Sequence, residues 1–371
     1  MNVLQLMSCR GWSSDAYWAA RVTHELERRG HRVTLGCRAG TEERVMARAR
    51  REGASRLATF RFTGGVRPGA DVADVRELAR ALAQSDVVHV HRGKEHWLAA
   101  VANRIAGARR PLVRTRHIVQ AVRAHAANRW LYRHATDLVV TVSEVIRAQY
   151  IASGLLSPEA VVALQGGADA DAFRPRLADP AVRKALGGRD DAPLIGMVGG
   201  LRVMKGHGVV VDALARLRGR GLAPTVAFVG QGRWEARIRT LVGAAGLDDQ
   251  VTFSGFAADV PAAMAALDIG LYVPLESEGM SRVVFEYLAS GRALIASRTG
   301  LVPETLRDGE HALLVPAGDA GALADAIARL AGDEALRNRL GAAGRRVVEE
   351  QYSGARVAAR LEALYAGLRA A

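Results

Sequence analysis

Short apolar runs alternate with stretches of helical periodicity through the first half of this 371-residue chain. The run at residues 3–7 precedes a polar loop, and a helical pattern then extends from Ala16 to Arg29, where Gly30 ends it. Strand, loop, helix and strand in that order predict a βαβ unit that opens a parallel sheet. Strands are predicted at 3–7, 31–37, 55–62, 86–91, 111–115, 138–142 and 160–164, with helices at 16–29, 41–52, 71–83, 95–106, 125–134 and 143–153.

The periodicity fails between residues 166 and 191, and a second alternating series begins after it. Because prolines and turn residues crowd this segment, it is predicted to be an irregular connection between two domains. We therefore expect an α/β protein with domains at 1–172 and 173–353, each doubly wound and Rossmann-like, followed by a final helix at 354–371. The second series predicts strands at 194–198, 225–229, 251–253, 269–273 and 293–296, and helices at 209–218, from 234, at 259–266, 281–290, 319–331, 334–350 and 354–370.

Glycine-bearing loops follow four of the strands in the second series, at 199–208, 230–232, 255 and 276–279. In a parallel sheet these loops share the carboxyl edge, where glycine lets backbone N–H groups approach a ligand. Arg202 and Lys205 add positive charge there, and Glu278 and Glu286 add acceptors for hydroxyl groups. This composition predicts a site for a diphosphate flanked by hydroxyls, as in a nucleotide-sugar. An ATPase is disfavoured because no Walker motif occurs.

Two histidines fall at carboxyl ends of predicted strands in the first half, His91 and His117. Side chains at that edge meet the ligand cleft, so both are candidates for the site. His89 is expected to point to the opposite face of the sheet and to be structural. The loop after the first strand contains only Gly11, so a dinucleotide fingerprint is absent there.

Positive charge is concentrated in the first half of the chain, which has a net charge of +13 overall. Residues 1–172 contain 26 Arg and Lys against 16 Asp and Glu, and residues 104–134 contain eight arginines and no acid. This asymmetry predicts an anionic partner: a phosphorylated acceptor, an anionic membrane surface or nucleic acid. The alternative is an arginine-rich composition, since the chain has 48 Arg and three Lys. The two cysteines have no metal-ligand spacing, which favours a cytoplasmic protein and gives no reason to expect a metal.

Three runs in the second half resemble glycosyltransferase family 4, the retaining nucleotide-sugar glycosyltransferases with the GT-B fold. The family's Glu-x7-Glu pattern is matched by Glu278 and Glu286 in SEGMSRVVFEYLASGRALIAS. Its phosphate loop is matched by GMVGGLRVMKGH, and TGLVPETLRDGEHALLVPAGD is a further matching run. The resemblance covers essentially the whole chain. It implies two domains that face a central cleft, with the final helix crossing back to the first domain.

The resemblance also implies roles for particular residues. Glu278 would contact the transferred sugar, Glu286 the ribose, and Lys205 the diphosphate and the leaving group. His117 would contact the transferring sugar. Further residues are expected at the donor nucleotide-sugar through backbone or side chain: Gly11, Arg202, Gly230, Gln231, Phe256, Gly279, Met280 and Ser281.

This chain departs from the family pattern at two places. Gly200 stands where the family often has arginine, and Arg202 is expected to substitute for it. The first loop has Gly11 alone where the family has paired glycines, so Ser13 and Ser14 or backbone groups are expected to serve there.

The resulting expectation is a retaining glycosyltransferase that needs no cofactor or metal and uses a nucleoside-diphosphate sugar as donor. The acceptor is expected to be an anionic glycan or lipid-linked molecule of lipopolysaccharide, cell-envelope or glycolipid synthesis, reached from the cytoplasm, with the basic domain contacting the inner membrane surface. A nucleic-acid-binding protein is disfavoured because aromatics are only 5% and no binding signature occurs. A non-catalytic relative that binds nucleotide-sugar is the remaining alternative.

Overall fold

The computed structural model describes residues 1–107, 109–277 and 282–370, and it contains two units. The first unit combines Met1–Gly167 with the segment that begins at Gly354. The second unit is Ala168–Ser353. The division falls at Gly167, a few residues before the boundary that the sequence predicted at 172.

The first unit alternates strands and helices from its first residues. Its seven strands are β1 Asn2–Met7, β2 Arg32–Arg38, β3 Leu57–Phe60, β4 Val87–Val90, β5 Leu112–Arg116, β6 Leu138–Thr141 and β7 Val161–Ala163. Its helices before the division are α1 Ser14–Arg28, α2 Ala47–Arg51, α3 Pro68–Ala83, α4 Gly93–Ile105, α5 Ala126–His134 and α6 Glu144–Ala152. A π-helical turn, Glu42–Met46, precedes α2, so the predicted helix at 41–52 is not α-helical throughout.

All seven strands form one parallel sheet in the order β3-β2-β1-β4-β5-β6-β7. The order reverses between β1 and β4, which are neighbours although β2 and β3 lie between them in the sequence. The strands β4 and β6 are buried along their whole length, as expected for a sheet covered by helices on both faces.

The final helix, α15 Gly354–Ala370, belongs to the first unit and packs against α1. Val357, Leu361 and Tyr365 are buried in it at helical spacing. Nε of Arg29 donates to Oε2 of Glu362 at 2.6 Å, which adds an ion pair at the edge of this contact. The apolar stripe therefore explains why the end of the chain joins the first unit.

The second unit repeats the same architecture. Its strands are β8 Leu194–Val198, β9 Thr225–Val229, β10 Val251–Gly255, β11 Ile269–Tyr272, β12 Ala293–Ser297 and β13 Leu313–Val315. Its helices are α7 Pro180–Ala185, α8 His207–Arg218, α9 Glu235–Ala244, α10 Val260–Ala266, α11 Arg282–Ala289, α12 Val302–Thr305, α13 Ala320–Gly332 and α14 Glu334–Val347. The six strands form a second parallel sheet in the order β10-β9-β8-β11-β12-β13. Apolar clusters cover both of its faces.

The segment predicted to be irregular, 166–191, contains a short helix. The carboxylate of Asp179 accepts from the backbone N of Ala181 at 2.8 Å, and Pro180 occupies the first helical position. The two-turn length of α7 was too short for a periodic pattern. The prediction also missed α12 and β13, which are shorter still.

The described helices include none that is both long and apolar enough to span a bilayer. The longest of them, α15, carries four charged side chains on its outer surface, Arg356, Arg360, Glu362 and Arg369.

Candidate active site

The order of strands in the second unit reverses between β8 and β11, which are neighbours in the sheet. Ligands of doubly wound sheets bind at the carboxyl ends of the strands at such a reversal. The loop at 199–206 follows β8, and the chain that leads to α11 follows β11. The predicted placement of the glycine-bearing loops on one edge of one sheet is confirmed for the residues that the structure describes.

The loops after β8 and β9 touch backbone to backbone. Gly199 and Gly230 have φ values of +152° and +151°, which favour glycine. The backbone N of Leu201 donates to the carbonyl oxygen of Gln231 at 3.1 Å, and a Cβ on Gly232 would meet the carbonyl oxygen of Leu201 at 2.2 Å. These contacts hold the loop after β8 on a rigid support.

The same loop is held from the other side by the end of β11. Gly206 has a φ of +83°, and a Cβ there would lie 2.0 Å from the carbonyl oxygen of Val273. The backbone N of Leu275 donates to the carbonyl oxygen of Met204 at 2.8 Å. Gly206 is the N-cap of α8, so Lys205 stands immediately before a helix N-terminus. Nζ of Lys205 lies 5.9 Å from the ring centroid of Tyr272.

Arg202 lies over Gly200, the position where the family often has arginine. A Cβ on Gly200 would be 3.6 Å from Nε of Arg202, at ordinary contact distance. A side chain at 200 would therefore begin in contact with the Arg202 guanidinium group. Arg202 is exposed on the same loop as Lys205.

Glu286 lies in α11 and is buried, with 2% of its surface exposed. Nε of Arg282 donates to its Oε1 at 2.7 Å, one helical turn earlier. Burial raises the pKa of Glu286, Arg282 acts in the opposite direction, and the charge of Asp169 raises the pKa further. A buried carboxyl group with one ion-pair partner retains acceptor capacity for hydroxyl groups.

Gln231 and Phe256 lie beside these loops and are exposed. The Phe256 ring is 68% exposed immediately after β10, where Gly255 has a φ of +69°. Exposed aromatic rings of this kind can pack against a planar ligand. Glu278, Gly279, Met280 and Ser281 lie outside the described residues.

In the first unit, His117 follows β5 directly and His91 follows β4, as the sequence predicted. Nε2 of His117 lies 3.2 Å from Nδ1 of His91, and Nε2 of His91 lies 2.9 Å from Oε1 of Gln5. The edge of the Trp18 ring packs against both imidazoles. Gln5 and Trp18 were not predicted as site residues. The polar Gln5 within the apolar run of β1 was the available sequence signal.

Burial dominates the electrostatics of His117. It lowers the pKa of the imidazole to about 3, although the charge of Asp15 acts to raise it. The side chain is thus neutral near pH 7. A neutral imidazole has one donor and one acceptor nitrogen. His117 is therefore suited to forming a hydrogen bond with a bound molecule and is not suited to acting as a general acid.

The prediction that His89 points to the opposite face from His91 is wrong. Residues two positions apart in a strand project from the same face. The two imidazoles are stacked with ring centroids 4.7 Å apart. The expected structural role of His89 fits its partners, because its Nδ1 lies 2.5 Å from the hydroxyl of Tyr365 and its Nε2 lies 2.6 Å from Oγ1 of Thr115.

The loop that contains Gly11 ends in a charged cluster that the sequence did not indicate. Nε of Arg92 donates to Oδ2 of Asp15 at 2.6 Å. Burial raises the pKa of Asp15, but the Arg92 hydrogen bond and nearby positive charge outweigh burial and hold this pKa well below its ordinary value. Gly11 has open space where a Cβ would be and no left-handed φ, so the backbone does not require glycine there.

Only some of the arginine side chains in the basic segment at 104–134 are exposed on the surface. Arg114 in β5 is 3% exposed, and its Nε and Nη1 have no hydrogen-bond partner among the described residues. Arg114 is therefore an interior residue, and it does not belong to the charged surface that the sequence suggested. Five other arginines of the segment are exposed, namely Arg104, Arg109, Arg123, Arg129 and Arg133.

Comparison with known proteins defines the class. A family model described as "Glycosyltransferase Family 4" matches residues 16–172, and one described as "Glycosyl transferases group 1" matches residues 179–347. The GDP-mannose-dependent alpha-(1-6)-phosphatidylinositol monomannoside mannosyltransferase of Mycobacterium tuberculosis is 33% identical over 311 residues, which cover 79% of each chain. The chain belongs to glycosyltransferase family 4 and is a glycosyltransferase.

Two further relatives extend this comparison. The lipopolysaccharide core biosynthesis glycosyltransferase LpsE of Rhizobium meliloti is 30% identical over 163 residues, 44% of this chain and 46% of that one. The crystal structure of Anabaena HepE in complex with UDP and glucose superposes with a TM-score of 0.80 and 19% identity, covering 99% of each chain. This likeness in structure shows that the fold is GT-B.

Proposed function

We propose that the protein transfers a glycosyl group from a nucleoside-diphosphate sugar to a hydroxyl group, with retention of configuration and without a metal ion. The observation that carries the proposal is the loop after β8. It is held between β9 and β11 by backbone contacts, and it presents Lys205 directly before the N-terminus of α8. A helix N-terminus, a lysine and glycine-lined backbone together favour a diphosphate.

Each part of the nucleotide-sugar has a protein partner in this proposal. Lys205 and Arg202 bind the diphosphate and stabilise the negative charge that develops on the leaving group. The buried carboxyl of Glu286 accepts from the ribose hydroxyls, Glu278 contacts the transferred sugar, and Phe256 packs against the base. His117 contacts the transferred sugar.

The reaction proceeds with attack of the acceptor hydroxyl on the same face of the sugar that the diphosphate leaves. The C1–O bond to the diphosphate breaks, the bond from C1 to the acceptor oxygen forms, and the acceptor proton passes to the departing phosphate oxygen. Proton NMR of the first product formed tests this, because retention gives the anomeric configuration of the donor. An inverted product would contradict the proposal.

The acceptor is proposed to be an anionic glycan or lipid-linked molecule of envelope synthesis. The functions of two relatives, a phosphatidylinositol monomannoside mannosyltransferase and a lipopolysaccharide core glycosyltransferase, support this class. The exposed arginines support it as well. The stacked rings of Trp97 and Trp130 lie on α4 and α5 of the same unit, and Ile105 is 69% exposed at the end of α4. Basic and apolar side chains together favour peripheral contact with an anionic membrane.

The proposal is tested by a thermal-shift and hydrolysis screen with UDP-, GDP- and ADP-sugars, with GDP-mannose tested first because of the mycobacterial relative. At least one donor should stabilise the wild type and be hydrolysed slowly. Glu286→Ala should lose most of that stabilisation, since a buried acceptor of the ribose would be missing. Stabilisation by none of the donors would overturn the proposal.

A further inference from the structure

Three side chains form a hydrogen-bonded row across neighbouring strands of the first unit. Gln5 lies in β1, His91 follows β4 and His117 follows β5, and these strands are adjacent in the sheet. Gln5 is fully buried, and His91 and His117 are 2% and 8% exposed. The row ends at Nδ1 of His117, which is shielded from solvent and has no partner within the part of the chain that the structure describes.

The row begins at Oε1 of Gln5, and the position of every proton in the row follows from this oxygen. An amide oxygen only accepts, so Nε2 of His91 must donate to Oε1 of Gln5. A neutral His91 then has a bare Nδ1, which can only accept from His117. Nε2 of His117 therefore holds the proton, and Nδ1 of His117 presents a lone pair.

The surrounding packing keeps this row in one arrangement. The Trp18 ring meets the His91 and His117 rings edge-on, at centroid distances of 5.6 and 5.4 Å. His89 stacks on His91 but uses both of its nitrogens elsewhere, with Thr115 and Tyr365. Burial lowers the pKa of both His91 and His117, so both are neutral near pH 7. Neutral rings are the condition under which each imidazole has one defined donor.

We propose that Gln5 and His91 are positioning residues that hold His117 as its Nε2–H tautomer, so that Nδ1 can bind only a hydrogen-bond donor. A sugar hydroxyl meets this requirement, whereas a phosphate or carboxylate oxygen does not. This inference rests on the proposed function for the identity of the ligand as the transferred sugar. The tautomer itself follows from the orientation of the Gln5 amide, with Oε1 facing Nε2 of His91.

The tautomer is measured first, by nitrogen-15 NMR of the imidazoles in the full chain without ligand at pH 7. Wild type should show His117 protonated at Nε2 alone. Gln5→Met removes the amide at similar volume and should give a mixture of tautomers, as should His91→Phe if Gln5→Met does not fold. Thr115→Val is the matched control, because it removes one hydrogen bond from His89 and leaves the row intact. Protonation of wild-type His117 at Nδ1, or an unchanged tautomer in Gln5→Met, would overturn the proposal.

Kinetics then separate this inference from the proposed function. With GDP-mannose or UDP-glucose, whichever is used as donor, Gln5→Met should lower kcat roughly tenfold, the effect of losing one neutral hydrogen bond. Its affinity for GDP or UDP, which contain no sugar, and its Tm should stay close to those of Thr115→Val. Wild-type kcat together with mixed tautomers would refute the positioning role. The predicted tautomer in a protein that uses no nucleotide-sugar would instead refute the proposed function.

Discussion

A Cβ atom on Gly230 would stand 1.9 Å from the carbonyl oxygen of Gly199. No side chain fits at that distance, because the obstacle is backbone and cannot rotate away. The two glycines bring the loops after β8 and β9 together, and this contact supports the segment that holds Arg202 and Lys205.

Gly230→Ala should therefore separate the two loops. We expect a loss of about 2–3 kcal/mol in the free energy of unfolding, from backbone strain and the clash together, and a large loss of donor affinity. Urea denaturation and donor titration by thermal shift measure the two effects. Gly243→Ala in α9 is the control, since its Cβ would meet no atom closer than 3.8 Å. A Gly230→Ala protein with wild-type stability would contradict this account of the loop.

Lys205→Ala should lower kcat for transfer by about 10²–10³-fold, the usual effect of removing one preorganised electrostatic partner of the leaving group. The physical reason is the loss of the positive charge directly before the N-terminus of α8, where we propose that the diphosphate binds. Initial rates at saturating donor measure it. Lys184→Ala removes the same charge from an exposed position on α7 and should leave the rate unchanged. Equal effects of the two substitutions would exclude a specific role for Lys205.

Arg202 is expected to do the work of the arginine that the family often has at the position of Gly200. Arg202→Ala should weaken binding of the nucleoside diphosphate by about tenfold, the effect of about 1.4 kcal/mol. The double variant Gly200→Arg with Arg202→Ala should recover much of this affinity, because the space next to Gly200 is then free. Isothermal titration with GDP and UDP measures both. If the affinity stays low in the double variant, only an arginine at position 202 can contact the nucleoside diphosphate.

The raised pKa of Glu286 should make stability depend on pH. A carboxyl whose pKa is higher in the folded than in the unfolded state binds more protons when folded, so its contribution falls as pH rises above its ordinary value near 4.5. Glu286→Gln has no titrating carboxyl at this position, so it does not lose stability in this way as pH rises. The difference in free energy of unfolding between variant and wild type should increase from pH 4.5 upward, in urea titrations across that range. A difference that is constant with pH would show that Arg282 fully offsets burial.

Membrane contact should depend on the exposed arginines of the first unit. Arg123→Glu with Arg129→Glu should weaken binding to vesicles that contain phosphatidylglycerol at least tenfold, since each basic side chain near an anionic surface contributes about 1 kcal/mol. Co-sedimentation at low salt measures the affinity. The control is Arg329→Glu with Arg346→Glu, which makes the same charge change at exposed positions of the second unit. Equal losses of vesicle affinity in the two double variants would show that binding depends on net charge alone.

The sequence was sufficient to predict the class of fold and the edge of the second sheet at which the glycine-bearing loops meet. The strands β8 and β9 are apolar runs with clear turn residues beside them, so their predicted bounds match the structure. Such patterns are local, and the alternation of strand and helix then allows few topologies. Shorter elements such as α7 and β13 contain too few residues to show a period, and only their neighbours in space stabilise them.

The sequence by itself determined which loops meet at one edge, and it predicted Lys205, Arg202 and Glu286 there. Only the tertiary structure decided which side chains touch: that Arg114 is interior, that Arg202 covers Gly200, and that Gln5 and His91 connect to His117. These contacts join residues up to 86 positions apart in the chain. Periodicity reports which face of its own element a residue occupies, whereas burial and hydrogen bonding depend on the element that packs against that face.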